Sequence, residues 1–271
     1  MRKGYTDLAD KQIHWRMWGQ QHRNSSNYIY CLHPTPYSGL AFSSIAKHLS
    51  VNWCVIALDY PGYGGSTSLG KTPRILDFVE AVSAVKNHLS PNVKVSLIGF
   101  HTGCLVAMEY SILQYDDVSN ICLIDIPAFD AATRQKELQS LPHPYEIPTS
   151  ITQFEKAWSF DLGQNSTTNE FPKERGFELF TERLLSGRDM NSAFHAAFSY
   201  DWKTASKALI APSLVIATDS FLKDGTLEAA KLIPQSTLIE KEHITNKVLD
   251  LGAAELSIEI DTFFKKSSTP I

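Results

Sequence analysis

The sequence lacks any run of about 18 apolar residues, the length that a membrane-spanning helix needs. Its N-terminal stretch, MRKGYTDLADKQIHW, carries charge but not the apolar core of a secretory signal. Basic residues show no excess either, with 25 Lys and Arg against 29 Asp and Glu and a net charge of −4. We therefore expect neither a membrane nor a nucleic acid among the partners.

Cysteine is also scarce. The four cysteines, Cys31, Cys54, Cys104 and Cys122, form no C-x-x-C pair, and three of them lie in apolar, strand-like runs. No His or Cys spacing is typical of a metal site, so we expect no metal and no other cofactor. Buried, reduced thiols are typical of a reducing compartment, and we expect a cytoplasmic protein.

What the sequence does contain is an alternation of short apolar runs and amphipathic stretches. Its 271 residues are 43% hydrophobic, enough for one large core. Strands are predicted at 13–18, 28–32, 54–58, 93–98, 121–124, 214–217 and 236–240, and helices at 40–49, 75–89, 104–115 and 255–264. This order predicts an α/β fold with a mostly parallel sheet covered on both faces, and ligands bind at the carboxyl ends of such strands.

The alternation stops between residues 128 and 208, a stretch with several prolines and aromatics and no clear strand. Long insertions at the carboxyl end of a strand often cover a pocket. We predict a core domain made of residues 1–127 and 209–271, with a helical cap, or lid, at 128–208. The alternative is a structural appendage with no role at the site.

One short motif points to chemistry. The stretch GFHTG, Gly99–Gly103, follows a predicted strand and precedes a predicted helix. In such a strand–turn–helix the central residue sits on a strained turn and points into a pocket, and here it is His101. Neutral imidazole is nucleophilic, and its ordinary pKa of about 6.5 suits general-base catalysis. The alternative is a decayed site in which His101 only fills space.

Other segments occur in an order that resembles the α/β-hydrolase superfamily over nearly the whole chain. These segments are CLHPTPYSG, ALDYPGYGGS, GFHTG, PSLVIATD and EKEH. Three positions depart from the usual pattern of the family. Pro34 follows His33, and Glu242 precedes the last histidine. His101 replaces the serine that the family has at the centre of the strand–turn–helix, a turn called the nucleophile elbow. With H-x-T-P and H-T-G, the chain resembles a variant subset that carries histidine at the nucleophile elbow.

The resemblance implies partners for His101. His243 lies where the family places its base, and two imidazoles in contact would titrate as a coupled pair. Asp219 follows the predicted strand at 214–217, the usual position of the orienting acid. Asp125 is an alternative at the end of the strand before the insertion, and Asp224 is a third candidate. The alternative for each aspartate is a structural role, as a turn residue or a helix cap.

The resemblance also implies an oxyanion hole and a substrate pocket. The backbone N–H groups of Thr35 and Thr102 are the expected donors, because Thr102 follows the elbow residue and Pro34 cannot donate. Aromatic residues of the predicted cap, among them Trp158, Tyr200 and Trp202, are expected to bind an apolar substrate.

Together these features favour an enzyme, a hydrolase of a small, partly apolar ester, lactone or related carbonyl compound that needs no cofactor. Two alternatives stay open on the same fold. One is a cofactor-free lyase, cyclase or oxygenase in which the histidines only move protons. The other is a non-catalytic ligand-binding protein.

Overall fold

A computed structural model describes residues 1–23, 27–147, 149–162 and 171–267. The described residues form one eight-stranded sheet in the order β1-β2-β4-β3-β5-β6-β7-β8. Its strands are β1 (Arg2–Leu8), β2 (Lys11–Trp18), β3 (Tyr28–Leu32), β4 (Cys54–Leu58), β5 (Val95–Phe100), β6 (Val118–Ile124), β7 (Ser213–Thr218) and β8 (Ser236–Lys241). The strands from β4 to β8 in this order run parallel, whereas β2 pairs antiparallel with β1 and β4.

Helices cover both faces of the sheet, as predicted for its buried central strands. The helices are α1 (Ser43–Leu49), α2 (Ile75–Leu89), α3 (Thr102–Leu113), α4 (Ala131–Ser140), α5 (Thr152–Asp161), α6 (Lys173–Leu185), α7 (Ser192–Ser199), α8 (Trp202–Ala208), α9 (Lys223–Leu232), α10 (Val248–Leu251) and α11 (Ala253–Ser267). One core cluster lies under α2, α3 and α9, and the other lies under α1 and α11. None of the helices described is both long and apolar enough to cross a membrane. The predicted α/β fold is confirmed.

Five helices, α4 to α8, lie between β6 and β7, and the described part of this segment contains no strand. One of them is attached firmly to the rest of the chain. On α6, Glu182 accepts from Ser38 and lies 3.5 Å from the Arg16 guanidinium of β2. At the other end of α6, Arg175 donates to the Asp250 carboxylate at 2.9 Å. Helix α6 is therefore fixed at both ends to the rest of the chain.

Candidate active site

His101 forms the turn between β5 and α3. Its backbone has φ 51° and ψ −120°, a conformation that non-glycine residues rarely adopt, and α3 begins at the next residue. The His101 N–H donates to the Ile124 carbonyl of β6 at 3.2 Å, and its own carbonyl accepts from Cys104 N–H at 2.8 Å. The strained turn predicted at this residue is found, with a positive φ. Strain of this kind persists only where the surroundings hold it, and it gathers at functional sites.

The two glycines of the motif allow β5, α3 and β3 to approach closely. A Cβ atom on Gly103 would lie 1.9 Å from the Leu32 carbonyl oxygen, and one on Gly99 would lie 2.5 Å from the Gly103 oxygen. Any larger residue would push α3 away from the sheet. The glycines thus fix the position of the turn that carries His101.

The His101 side chain is half-buried and makes aromatic contacts. Its ring centroid lies 3.9 Å from that of Phe100 and 6.2 Å from that of Phe221. Burial lowers the pKa of His101 to about 4, so the ring is neutral at neutral pH. No hydrogen bond to the ring comes from any residue that the structure describes. Its nitrogen lone pair is therefore available to a molecule in the neighbouring cavity.

That cavity has a volume of about 450 Å³ and lies at the carboxyl edge of the sheet. Its apolar wall consists of Pro34, Pro36, Ala41, Phe100, Phe160, Leu179, Phe194, Phe221, Val248 and Leu249. A smaller cavity of about 100 Å³ shares His101, Thr35, Phe194 and Phe221 with it. No cluster of three or more His, Cys, Asp or Glu suited to a metal ion occurs among the described residues. The volume fits a small organic molecule.

The structure brings the two predicted oxyanion residues together beside His101. Thr35 Oγ1 donates to Thr102 Oγ1 at 3.2 Å, and both residues line the smaller cavity. Within the described ranges, no protein acceptor takes the backbone N–H of Thr35 or of Thr102. Two unpaired N–H groups next to the elbow are what stabilisation of a developing negative charge requires.

Asp125 and Asp219 both line the cavity, in different surroundings. Asp125 is fully buried at the end of β6, with φ 52°. Its two oxygens accept from the Thr218 N–H at 2.8 Å and the Thr218 hydroxyl at 2.6 Å. Burial raises the pKa of Asp125, and the bonds from Thr218 oppose that rise. Asp125 therefore joins β6 to β7. Asp219 is exposed at the cavity wall, and Asp224 in α9 does not line the cavity.

His243 is not brought to His101. Its side chain is 65% exposed, and its Nε2 lies 2.6 Å from a Glu255 carboxylate oxygen of α11. It does not line the cavity, which is reached instead by the next residues of the loop between β8 and α10, Thr245 to Lys247. The position that the resemblance assigned to the base thus holds a surface histidine that is hydrogen-bonded to Glu255.

The three aromatic residues expected in the pocket also lie elsewhere. Trp158 packs edge-on against Phe180, joining α5 to α6, with ring centroids 5.1 Å apart. The Tyr200 hydroxyl donates to Glu109 of α3 at 2.7 Å. Trp202 is buried in the core, and its Nε1 donates to a backbone carbonyl at 2.7 Å. The aromatic wall beside His101 is formed instead by Phe100, Phe160, Phe194 and Phe221.

Two cations in the cavity wall were not predicted from the sequence, Arg183 of α6 and Lys247. Arg183 Nε donates to Asp161 at 2.8 Å, and its Nη2 donates to the Tyr37 hydroxyl at 2.6 Å. These side chains come from distant parts of the chain and share no motif. Only the packing of the inserted helices brings them together, so no local signal could have found them.

The Asp125–Thr218 contact yields a stability prediction. Replacing Thr218 with Val keeps the shape but removes the hydroxyl that donates to a buried carboxylate, so unfolding free energy should fall by about 1–3 kcal/mol. Urea denaturation at neutral pH measures this. The control is Thr237→Val on the neighbouring strand β8, where the side chain is exposed and the change should stay within about 0.5 kcal/mol. Equal effects in the two variants would contradict the assigned role of the contact.

The comparisons with known proteins agree with this architecture. A family model described as alpha/beta hydrolase fold matches residues 27–244. The structure of an esterase from Thermogutta terrifontis is 17% identical, with 99% of this chain and 100% of that chain covered and a TM-score of 0.76. An enol-lactonase from Burkholderia xenovorans LB400 is 13% identical, with 97% and 100% covered and a TM-score of 0.78. An esterase from Exiguobacterium antarcticum is 16% identical, with 96% and 98% covered and a TM-score of 0.74.

No curated protein matches the sequence. The family match extends over most of the 271 residues and includes the turn at His101 and the loop at Thr35. The chain belongs to the α/β-hydrolase fold family. At identities this low, likeness to the solved structures establishes the fold, and activity has to be argued from the site.

Proposed function

We propose that this protein is an enzyme that hydrolyses a small, partly apolar ester or lactone, with His101 acting on the substrate carbonyl. The observation that carries the proposal is a neutral imidazole on the strained turn, beside the unpaired N–H groups of Thr35 and Thr102. The esterases and the enol-lactonase that share the fold support the reaction class. In this view the chain belongs to a histidine-elbow variant of the family, and residues 128–208 act as its cap.

The chemistry needs one ring nitrogen and the two N–H donors. As nucleophile, the His101 nitrogen forms a bond to the carbonyl carbon, and the C=O electron pair moves to oxygen, where the N–H groups stabilise it. The C–O bond then breaks and the alkoxide leaves, taking a proton from solvent. Water adds to the acyl-imidazole, the C–N bond breaks, and acid and free His101 are released. One such N–H donor typically contributes about 3–4 kcal/mol to the transition state.

As general base, His101 would instead take a proton from a water that attacks the carbonyl, and no covalent intermediate would form. Mass spectrometry of enzyme quenched during turnover of 4-nitrophenyl acetate separates these routes. An added acetyl group on the peptide that contains His101 identifies the nucleophile, whereas unmodified enzyme during steady turnover is the result expected for the base. Absence of hydrolysis across a panel of activated esters and lactones would reject the proposal.

The low pKa of His101 predicts an unusual pH profile. Because the neutral ring is the reactive form, kcat/KM should fall as pH drops through about 4 and should stay level between pH 6 and pH 8. Stopped-flow assays with 4-nitrophenyl acetate, after brief exposure to each pH and with folding checked by circular dichroism, measure this. A midpoint near the ordinary histidine value of about 6.5 would show that the reactive group is not the His101 ring.

One observation favours a second candidate, a cofactor-free lyase, cyclase or oxygenase, or a ligand-binding protein. Among the described residues, neither a carboxylate nor a second imidazole hydrogen-bonds to His101, so the relay that activates hydrolases of this fold is absent there. Binding of a carbonyl compound without conversion would favour this candidate. Exchange of the hydrogens on the carbon next to the bound carbonyl with solvent would then distinguish an enzyme from a binding protein.

We place either activity in the cytoplasm, because the four cysteines are buried and unpaired.

A further inference from the structure

Lys247 is an unusual feature of the cavity wall. It precedes α10 with φ 47° and ψ 42°, a left-handed backbone conformation, and only 7% of its side chain is exposed. Its Nζ donates to the Asp161 carbonyl at 2.9 Å. The ammonium also lies over two aromatic rings, 4.5 Å from the Phe160 centroid and 4.8 Å from the Phe171 centroid. A buried ammonium with three donors thus has one hydrogen-bond acceptor among the residues that the structure describes.

The nearest carboxylate is already occupied. The Asp161 carboxylate accepts from Arg183 at 2.8 Å and from the Tyr37 hydroxyl, whereas it lies 4.0 Å from Lys247 Nζ. One carboxylate therefore serves two cations in the wall of the cavity. The nearby Asp250 does not relieve this excess, because it pairs with Arg175 at 2.9 Å.

Two of the three acidic residues that line the cavity lie on other elements, and the third, Asp250 of α10, is already paired with an arginine. Asp125 follows β6 and is bonded through both oxygens to Thr218, and Asp219 follows β7. Lys247 and Arg183 instead come from the loop before α10 and from α6, and their contacts are with Asp161 of α5. The cavity thus has a cationic wall on the side of the inserted helices and a reactive histidine on the strand side.

We propose that the substrate carries a carboxylate that pairs with Lys247 while its ester or lactone carbonyl lies at His101. The inference rests on the proposed function and specifies its substrate class. Burying an ammonium is costly unless it is paired, and a bound carboxylate would supply the missing acceptor. Arg183, held by Asp161 and Tyr37, adds positive charge to the same wall.

The pH dependence of binding follows from the surroundings of Lys247. Burial lowers its pKa to about 8; Asp161 and Asp250 oppose this shift, while Arg183 and Arg175 add to it. The charged form, present below this value, is the form that binds a carboxylate. The preference for a carboxylate should therefore be full near pH 6.5 and should be lost as pH rises above about 8.

The test compares two molecules of the same shape, 4-phenylbutyrate and its neutral amide, by calorimetric binding to the full-length protein. Wild type should bind the carboxylate at least about tenfold more tightly than the amide at pH 6.5. This ratio of dissociation constants corresponds to the free energy of about one hydrogen bond to a charged group. Lys247→Met should reduce this preference to about twofold or less, whereas Lys247→Arg should keep most of it. The matched control, Lys231→Met on the exposed side of α9, should behave as wild type.

Equal affinity of wild type for the two molecules would overturn the inference, as would a preference that survives Lys247→Met. If Lys247→Met fails to fold, the pH titration of wild type decides, because a preference unchanged up to pH 9.5 excludes Lys247. Hydrolysis is tested separately, with 4-nitrophenyl butyrate and the mono-4-nitrophenyl ester of glutaric acid. Cleavage of both esters at equal kcat/KM would leave the proposed hydrolase function intact and reject the carboxylate site at Lys247. Binding of the carboxylate without cleavage of either ester would support that site and reject the hydrolase function.

Discussion

Replacing His101 with Ala should lower kcat/KM for ester hydrolysis by at least about a thousandfold, because the proposed mechanism assigns the reaction at the carbonyl to this ring. The fold should survive, since the half-buried ring makes aromatic contacts but no hydrogen bond with any described residue. Initial rates with 4-nitrophenyl acetate and a thermal melt of each variant give both results. Unchanged activity in a folded variant would remove His101 from the mechanism.

His101→Ser is the informative companion. It places a hydroxyl on the elbow, where the family usually has its nucleophile, but His243 faces Glu255 rather than the cavity. A serine without a base is a weak nucleophile, so this variant should be as inactive as His101→Ala. Recovery of turnover would show that His243 moves to the cavity in solution and would restore the role that the resemblance assigned to it.

Gly103→Ala should unfold the protein or lower its unfolding free energy by at least about 3 kcal/mol, because the added methyl group meets backbone rather than a movable side chain. Its Cβ would lie 1.9 Å from the Leu32 carbonyl oxygen, so α3 and the turn at His101 would have to shift away from β3. Urea denaturation followed by tryptophan fluorescence measures the loss, and the yield of folded protein is a second readout.

Gly70→Ala is the control for the general cost of replacing a glycine. Gly70 has φ 69° but open space around its Cβ position, so only the backbone conformation penalises alanine there, by about 1–2 kcal/mol. A Gly103 variant no less stable than the Gly70 variant would mean that the close approach of α3 and β3 is not rigid and does not fix the turn at His101.

The central strands could be predicted because a strand buried on both faces is an uninterrupted apolar run. The predicted strands at 28–32 and 54–58 match β3 and β4 residue for residue. Strand β1 was missed, since its seven residues, RKGYTDL, form the sheet edge and only Thr6 is buried. An exposed edge strand leaves almost no hydrophobic pattern in the sequence.

The site could be predicted from the sequence only where neighbouring residues determine the backbone conformation. Glycines on both sides of His101 specify the turn, and the structure shows its positive φ. The direction of the His243 side chain depends on its contact with Glu255 of α11, and the position of Lys247 depends on the rings of Phe160 and Phe171. Such contacts between different elements produce no local sequence pattern from which they could be predicted.

The attachment of α6 has a consequence for the rates at which molecules enter and leave the cavity. With Glu182 and Arg175 fixed to the body of the protein, the inserted helices do not lift as one rigid flap without breaking ion pairs at both ends of α6. The aromatic ring of Phe221 is 80% exposed and lines both cavities beside His101. We therefore expect ligands to enter and leave through rotation of exposed side chains such as this one, which takes nanoseconds, rather than through the slower opening of a domain.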